Sequence, residues 1–358
     1  MAPKVAVIIL NWNGWEDTIE CLESLYQITY LDYDVIIVDN GSENDSINKI
    51  KEYAKGKIKI KSKFFKYNPN NKPIKIIEYT RKEAEGGGKE KEIANLSSNK
   101  KLIIIKNEKN YGFAKGNNVG IKYALKTLHA DCILLLNNDT VVDKEFLNHC
   151  IKSIEKDKVG IVTAKIYYYG KPQRIWAAGG KINMLLGSCR GIWHNKVDAG
   201  RLNGEEEVEY APGTLMLIRR SLFDRIDFLP SCYFGAGEEL EFAIKAKRNR
   251  YKVICNRNSI IFHKVGMSSN QSLKYLYNSY MTRFLFLERN LPRIFFKIWF
   301  PFYKTLIKHR IRTRIKSGEI DSRSLKVLNL AIKDRKDKKY IEEKDLKKVE
   351  EIFRSDQY

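Results

Sequence analysis

Short, almost continuous apolar runs recur along the first part of the chain: Val5–Leu10, Val35–Val38, Leu102–Ile105 and Cys132–Leu136 consist mainly of Val, Ile and Leu. Runs of this kind, without apolar-polar alternation, read as strands of a parallel sheet buried on both faces. Between the first two, Ile19, Leu22 and Leu25 repeat at helical spacing and predict an amphipathic helix. Further on, the spacing predicts a helix over Lys144–Lys156, a strand over Val159–Ala164, extended segments over Arg174–Gly180 and Glu209–Ile218, a helix opening at Glu238 and a strand ending at His263. The pattern predicts an α/β fold with a mainly parallel central sheet flanked by helices. In open sheets of that class ligands lie beyond the carboxyl ends of the strands.

Those ends are polar. Cys132–Leu136 runs into Asn137-Asn138-Asp139, and Asp139 is the first candidate for a site residue: Mg²⁺ binds through one or two carboxylates plus substrate phosphates. The same Asn138-Asp139 pair also reads as a turn and helix cap ahead of Phe146. Asp34–Val38 ends in Asp39-Asn40-Gly41-Ser42. Gly41 serves a tight turn, whereas Asp39 is suited to accept hydrogen bonds from a nucleobase imide or a ribose hydroxyl. Residues 107–120 place their glycines neither as GxGxxG nor as GxxxxGK[ST], which excludes the dinucleotide and P-loop readings. A helix from Asn117, with Lys115 ahead of it, could still bind phosphate or a base.

Glu238, Glu239 and Glu241 crowd the start of one helix behind Gly235 and Gly237. Acidic residues compensate a helix dipole there, but glycines ahead of paired glutamates also suit a hinge presenting a general base. His263, alone at a strand end, reads as either structural or a ligand.

Charge changes the picture in two places. The net charge is +22, of which residues 54–101 (14 Lys/Arg, 5 Glu) and 291–358 (19 Lys/Arg, 10 Asp/Glu) each contribute +9. The first is rich in Lys, Asn, Pro and Gly and is expected to be an inserted, flexible or partly extended loop. The second follows an aromatic and basic stretch over 271–310 that contains no apolar run long enough to span a bilayer. Its composition fits an anionic membrane surface, core packing being the competing reading. Six cysteines without a CxxC pair argue against zinc and a disulfide framework. The N-terminus lacks a signal-peptide pattern, so a cytoplasmic location is expected, peripheral on the inner face of the cell membrane.

Six segments in chain order, Ile8–Asn13, Val38–Ser42, Asn110–Asn118, Leu136–Asp139, Ala211–Thr214 with Arg219-Arg220, and Glu238–Glu241, resemble the inverting family 2 glycosyltransferases of GT-A fold, particularly the rhamnosyltransferase-like branch. The resemblance implies a GT-A catalytic domain over 1–270, interrupted at about 54–101, and a basic, aromatic-rich helical region over 271–358. It implies that Asp39 reads the nucleotide base, with Asn11, Asn40, Lys115 and Asn137 lining the same pocket. Asp139 would hold Mg²⁺ or Mn²⁺ on the donor diphosphate, with His263 as a further ligand and Arg283 near the phosphates. Gly213, Thr214 and Glu241 fall on the sugar and acceptor side.

The family usually shows Glu-Asp-x-Asp where this chain has Glu238-Glu239-Leu240-Glu241, so Glu239 takes the place of the general base, with Glu238 as a fallback. Asn137 stands where many relatives carry a first acidic residue. Processive relatives have several membrane helices and a QxxRW motif, and neither occurs here. The implied reaction is transfer of one sugar from a nucleotide-diphosphate sugar to a glycan or lipid-linked acceptor, with inversion. Rival readings are a basic nucleic-acid-binding protein, which leaves the acidic strand ends unexplained because carboxylates repel phosphates, and a catalytically silent relative. No nucleic acid partner is expected.

Overall fold

The computed structural model describes residues 2–265 and 272–354. They form two compact units. The first comprises residues 2–181, 190–229 and 242–265; the second comprises 182–189, 230–241 and the described residues from 272 onward. The domain boundary expected at residue 270 lies outside the described residues.

In chain order the elements begin with β1 (Val5–Asn11), α1 (Trp15–Leu25), β2 (Tyr33–Asp39), α2 (Ser46–Ala54), β3 (Lys75–Thr80) and α3 (Arg81–Ala84). They continue with β4 (Lys101–Lys106), α4 (Gly112–Lys126), β5 (Cys132–Asn137), β6 (Thr140–Val142), α5 (Phe146–Ile154), β7 (Val159–Tyr168) and β8 (Lys171–Ala178). Next come β9 (Gly180–Asn183), β10 (Ser188–Gly191), β11 (Glu205–Glu207), β12 (Leu215–Arg219), α6 (Arg220–Ile226), α7 (Glu238–Arg248) and β13 (Lys252–His263). The tail is helical: α8 (Leu273–Asn290), α9 (Arg293–Lys316), α10 (Arg323–Asp334) and α11 (Glu343–Arg354).

The central sheet of the first unit has the order β11-β13-β7-β12-β5-β1-β2-β4-β3. β1, β2, β3, β4 and β5 run parallel. Their apolar runs are buried throughout, as Ile8, Ile9, Ile36, Ile37, Leu134 and Leu135 illustrate. The helix expected after β1 is α1, and Ile19, Leu22 and Leu25 are its fully buried side. β12 is antiparallel to both neighbours, β5 and β7. Helix α4 lies close on β1 and β2: a Cβ at Gly120 would meet Ile8 Cγ2 at 2.9 Å and Val38 Cγ2 at 3.0 Å.

Two expectations need correction. The helix expected from Asn117 begins at Gly112, where the Gly112 N–H donates to Asn110 Oδ1 (2.9 Å). Lys115 and Asn117 therefore sit on its first turns rather than ahead of it. The 54–101 stretch is not irregular throughout, for it contains β3, hydrogen-bonded along β4, and α3, closed by a Thr80–Glu83 capping box. A carboxylate on α1 holds it down. Fully buried Glu23 receives Lys72 Nζ (3.0 Å), the Tyr53 hydroxyl (2.7 Å) and the Asn68 backbone N–H (2.8 Å). Burial lowers the Lys72 pKa against the opposing pull of Glu23.

Within the second unit, α9 buries Phe296, Phe300, Tyr303, Ile307 and Ile311, a face repeating every three or four residues. Arg335, the residue that follows α10, lies over the Phe300 ring at 4.3 Å. Among the described residues no helix is long and apolar enough to cross a membrane.

Candidate active site

Parallel register brings polar strand ends together. Asn11 pairs with Asp39 across β1 and β2, and Leu10 pairs with Asn137 across β1 and β5. Asp39 is buried, and its Oδ1 accepts from Asn11 Nδ2 (2.8 Å) and the Ser42 hydroxyl (2.6 Å), while Oδ2 accepts from the Ser42 backbone N–H (3.1 Å). The carboxylate is thus held in one orientation by its neighbours. Asn11 is fixed in turn, because its Oδ1 accepts from the Thr18 hydroxyl at 2.9 Å.

Asn40 does something different from lining a pocket with a free amide. Its Oδ1 accepts from Asn107 Nδ2 (3.1 Å) and the Tyr111 N–H (3.2 Å), and its Nδ2 donates to Asn110 Oδ1 (2.9 Å). It ties the end of β2 to the segment leading into α4. Gly41, at φ +74°, lets the chain pass the Lys109 backbone, where a Cβ would come within 2.5 Å of Lys109 Cα.

Beyond β5, Asn137 is joined by its N–H to the Thr214 carbonyl (3.0 Å), and Gly213 packs near the Phe113 ring. Asn138 Nδ2 bridges the Gly14 carbonyl and the Thr18 hydroxyl (3.3 and 3.1 Å). Asp139 stands at the turn into β6, and the antiparallel pairing of His263 with Thr140 carries the imidazole to it. His263 Nε2 lies 3.1 Å from Asp139 Oδ2. Asp139 Oδ1 and His263 Nδ1 are buried with no hydrogen-bond partner among the described residues. The Trp176 ring packs edge-on against the imidazole, with centroids 4.8 Å apart. An unpartnered carboxylate oxygen beside an imidazole fits a divalent ion completed by phosphate and water oxygens. Among the described residues no group of three or more His, Cys, Asp or Glu side chains is arranged to bind one unaided.

The glutamate cluster belongs to the second unit. Glu238 is 1% exposed, and neither carboxylate oxygen finds a well-formed hydrogen bond among the described residues. Burial, and then the charge of Glu239, push its pKa well above the ordinary glutamate range, although nearby N–H groups including those of Gly235 and Ala236 oppose the shift. Glu239 is less enclosed, and the Gly237 N–H donates to its Oε2 at 3.2 Å. Burial raises its pKa also. Glu241 is engaged on both oxygens: Arg289 of α8 donates from Nε and Nη2 at 2.8 Å each, and the Tyr233 hydroxyl donates at 2.7 Å. Arg283, expected near the phosphates, lies on α8 beside Tyr280 and Tyr303. Arg219 and Arg220 lie level with Cys132, at the start of β5, and their guanidinium groups donate to the carbonyls of Val159 (2.9 Å) and Leu125 (3.0 Å).

Several contributors escaped the sequence. Ser42 fixes Asp39 but reads as a turn residue; Trp176 supports His263 from a distant strand; Arg289 and Tyr233 clamp Glu241. For Arg289 the nearest signal was its place in an aromatic and basic stretch, which pointed outward instead.

A mainly parallel sheet whose adjacent strands end in Asn11, Asp39 and Asn137, with Asp139 and His263 alongside, is the framework of a GT-A nucleotide-sugar transferase fold. The likenesses in structure agree. A mannosyltransferase of Pyrobaculum calidifontis, solved with GDP-mannose and Mn²⁺, superposes with a TM-score of 0.52 at 13% identity, covering 93% of this chain and 75% of that one. GalNAc-T7, solved with UDP, GalNAc and Mn²⁺, gives 0.51 at 16% identity over 88% and 57%. The chain belongs to glycosyl transferase family 2, whose sequence model matches residues 6–76 and 89–227. Only residues 77–88 of the lysine-rich stretch fall outside that match. A low-salt glycan biosynthesis hexosyltransferase of Haloferax volcanii is 25% identical over 198 residues, which are 54% of this chain and 62% of that relative. The match thus spans less than two thirds of the relative's length.

Proposed function

We propose that this protein moves a single hexosyl or deoxyhexosyl group from a nucleoside-diphosphate donor to a hydroxyl of a glycan or lipid-linked acceptor, with inversion. The observation that carries the reading is the Asp139–His263 pair at the end of β5, 3.1 Å apart with a buried carboxylate oxygen left without a partner among the described residues. Family membership supports glycosyl transfer, and the hexosyltransferase named above supports a hexose-like donor. The likeness of the motifs to rhamnosyltransferase-like enzymes is what admits a deoxyhexose.

In this reading Asp39, held by Asn11 and Ser42, accepts hydrogen bonds from the base or ribose, and Lys115 lies toward the same nucleotide. Asp139 and His263 would hold Mg²⁺ or Mn²⁺, whose chemistry is to neutralise the departing diphosphate. Gly213 and Thr214 line the sugar side. The base is Glu239, whose raised pKa strengthens it as a proton acceptor. The acceptor oxygen forms its bond to the anomeric carbon as the bond to phosphate breaks; the acceptor proton passes to Glu239, and the nucleoside diphosphate leaves with the electron pair.

The test is isothermal titration of the protein with UDP, dTDP and GDP, with and without Mn²⁺, repeated on Asp139→Ala. Metal-dependent binding of one nucleotide, abolished by the substitution, is the expected result. Failure of every nucleotide to bind removes the reading. Glu239→Gln should retain that binding while losing transfer; retained transfer would reassign the base.

A further inference from the structure

Helix α9 has a second apolar face that the described residues leave uncovered. Opposite its buried side, Ile294, Ile298 and Phe302 follow one another at single-turn spacing and are 62–76% exposed, with Phe295 beside them at 41%. Trp299 continues the patch and donates its indole N–H to the carbonyl of Leu185 (2.8 Å), itself 46% exposed. Soluble proteins scatter exposed apolar side chains; they seldom line up four of them on one helix. The same helix carries eight Lys and Arg and no acidic residue over 24 residues. The charges are placed unevenly. Lys297 and Lys304 flank the apolar turns, and Lys308, Arg310, Arg312, Arg314 and Lys316 crowd the last nine residues.

We propose that α9 docks the protein on a bilayer bearing anionic headgroups, with Ile294, Phe295, Ile298 and Phe302 entering the acyl boundary and the basic turns lying along the headgroups. The length and the pairing of bulky apolar with cationic residues match a helix that lies in the interface plane rather than crossing it. Charge selects this occupant over two others. A second copy packed in parallel on the same face would bring Lys308, Arg312 and Lys316 of each helix together with no acidic residue of the helix to pair them, and a nucleic acid would leave the four apolar side chains in water. The inference stands apart from the transferase reading, because nothing in the donor site enters it; a lipid-linked acceptor would give it a purpose.

The experiment is co-sedimentation of the full chain with vesicles of phosphatidylcholine alone and of phosphatidylcholine with phosphatidylglycerol. The key variant, Ile298→Asn with Phe302→Ser, keeps the charge unchanged. Wild type should bind the anionic vesicles and be released by salt. The variant should partition about a hundredfold more weakly, since burying each such side chain contributes about a factor of ten or more. Lys308→Gln with Arg312→Gln should weaken binding about twenty-five-fold, at about fivefold per charge, and flatten the salt dependence. Circular dichroism and nucleotide titration on each variant separate loss of docking from misfolding and from failure of the donor site. Equal vesicle binding by wild type and the apolar variant would overturn the proposal, as would a wild-type dimer that the same variant dissociates.

Discussion

Removing Arg289 tests how the turn that carries Glu239 is held. In Arg289→Met the Glu241 carboxylate, only 2% exposed, loses two charge-assisted hydrogen bonds of 2.8 Å and keeps that from Tyr233. Leaving one member of a buried pair uncompensated costs about 3–5 kcal/mol. The Arg289 side chain is itself 42% exposed, so water already screens the pair and the cost falls to about 2 kcal/mol. Thermal unfolding should register the second unit melting about 10 °C lower, at several degrees per kcal/mol for about a hundred residues. The double variant Arg289→Met with Glu241→Leu should recover most of the loss, because no charge is then stranded. Kinetics supply the functional half: if Glu239 is the base proposed above, kcat in the single variant should fall at least about tenfold, since a displaced carboxylate loses its reach to the acceptor, while nucleotide affinity stays unchanged. A single variant as stable as wild type, or a double variant no better than the single, would refute the argument.

Lys72→Met should destabilise the first unit by about 3 kcal/mol, because fully buried Glu23 loses its cation, and should open residues 54–101 to limited proteolysis; an unchanged urea midpoint and an unchanged digestion pattern would count against it. Glu238 predicts a pH effect with a definite sign. Its folded pKa is raised, so between the unfolded value near 4.5 and that raised value the native state holds more protons, and stability falls as pH climbs through the window. Melting temperatures measured across pH should show that decline, and Glu238→Gln should flatten it. Gly120→Ala should cost about 1–3 kcal/mol, because the new Cβ meets Ile8 and Val38 at 2.9–3.0 Å; an unchanged denaturation midpoint would mean α4 can retreat freely.

The parallel strands and their polar ends were legible because burial on both faces leaves an unbroken apolar run, and such a run has an obvious end. That is why β1, β2 and β5 could be found along with Asn11, Asp39 and Asp139. β3 was hidden by composition: Ile77 and Tyr79 alternate inward, but two lysines and two prolines within the ten residues before the strand disguise the period. Glu23 gave no warning of its burial, since its partners Tyr53, Asn68 and Lys72 are distant in sequence. His263 reaches Asp139 only through the β13–β6 pairing, a register no local pattern records. Glu241 read as a site residue because it sits among acidic neighbours, while its contact with Arg289 depends on how α8 packs.

β12 runs against β5 and β7, so it offers its beginning, not its end, at the rim where Asn137 finishes. The segment Ala211–Thr214 reaches that rim ahead of the strand with Ala211, Pro212 and Thr214 buried, and it is tied down where the Asn137 N–H donates to the Thr214 carbonyl (3.0 Å) and the Leu215 N–H to the Pro212 carbonyl (3.1 Å). Variation at this rim is therefore channelled to half-buried Gly213, because an exchange at any of its three buried neighbours is felt in the core that Leu215–Ile218 share.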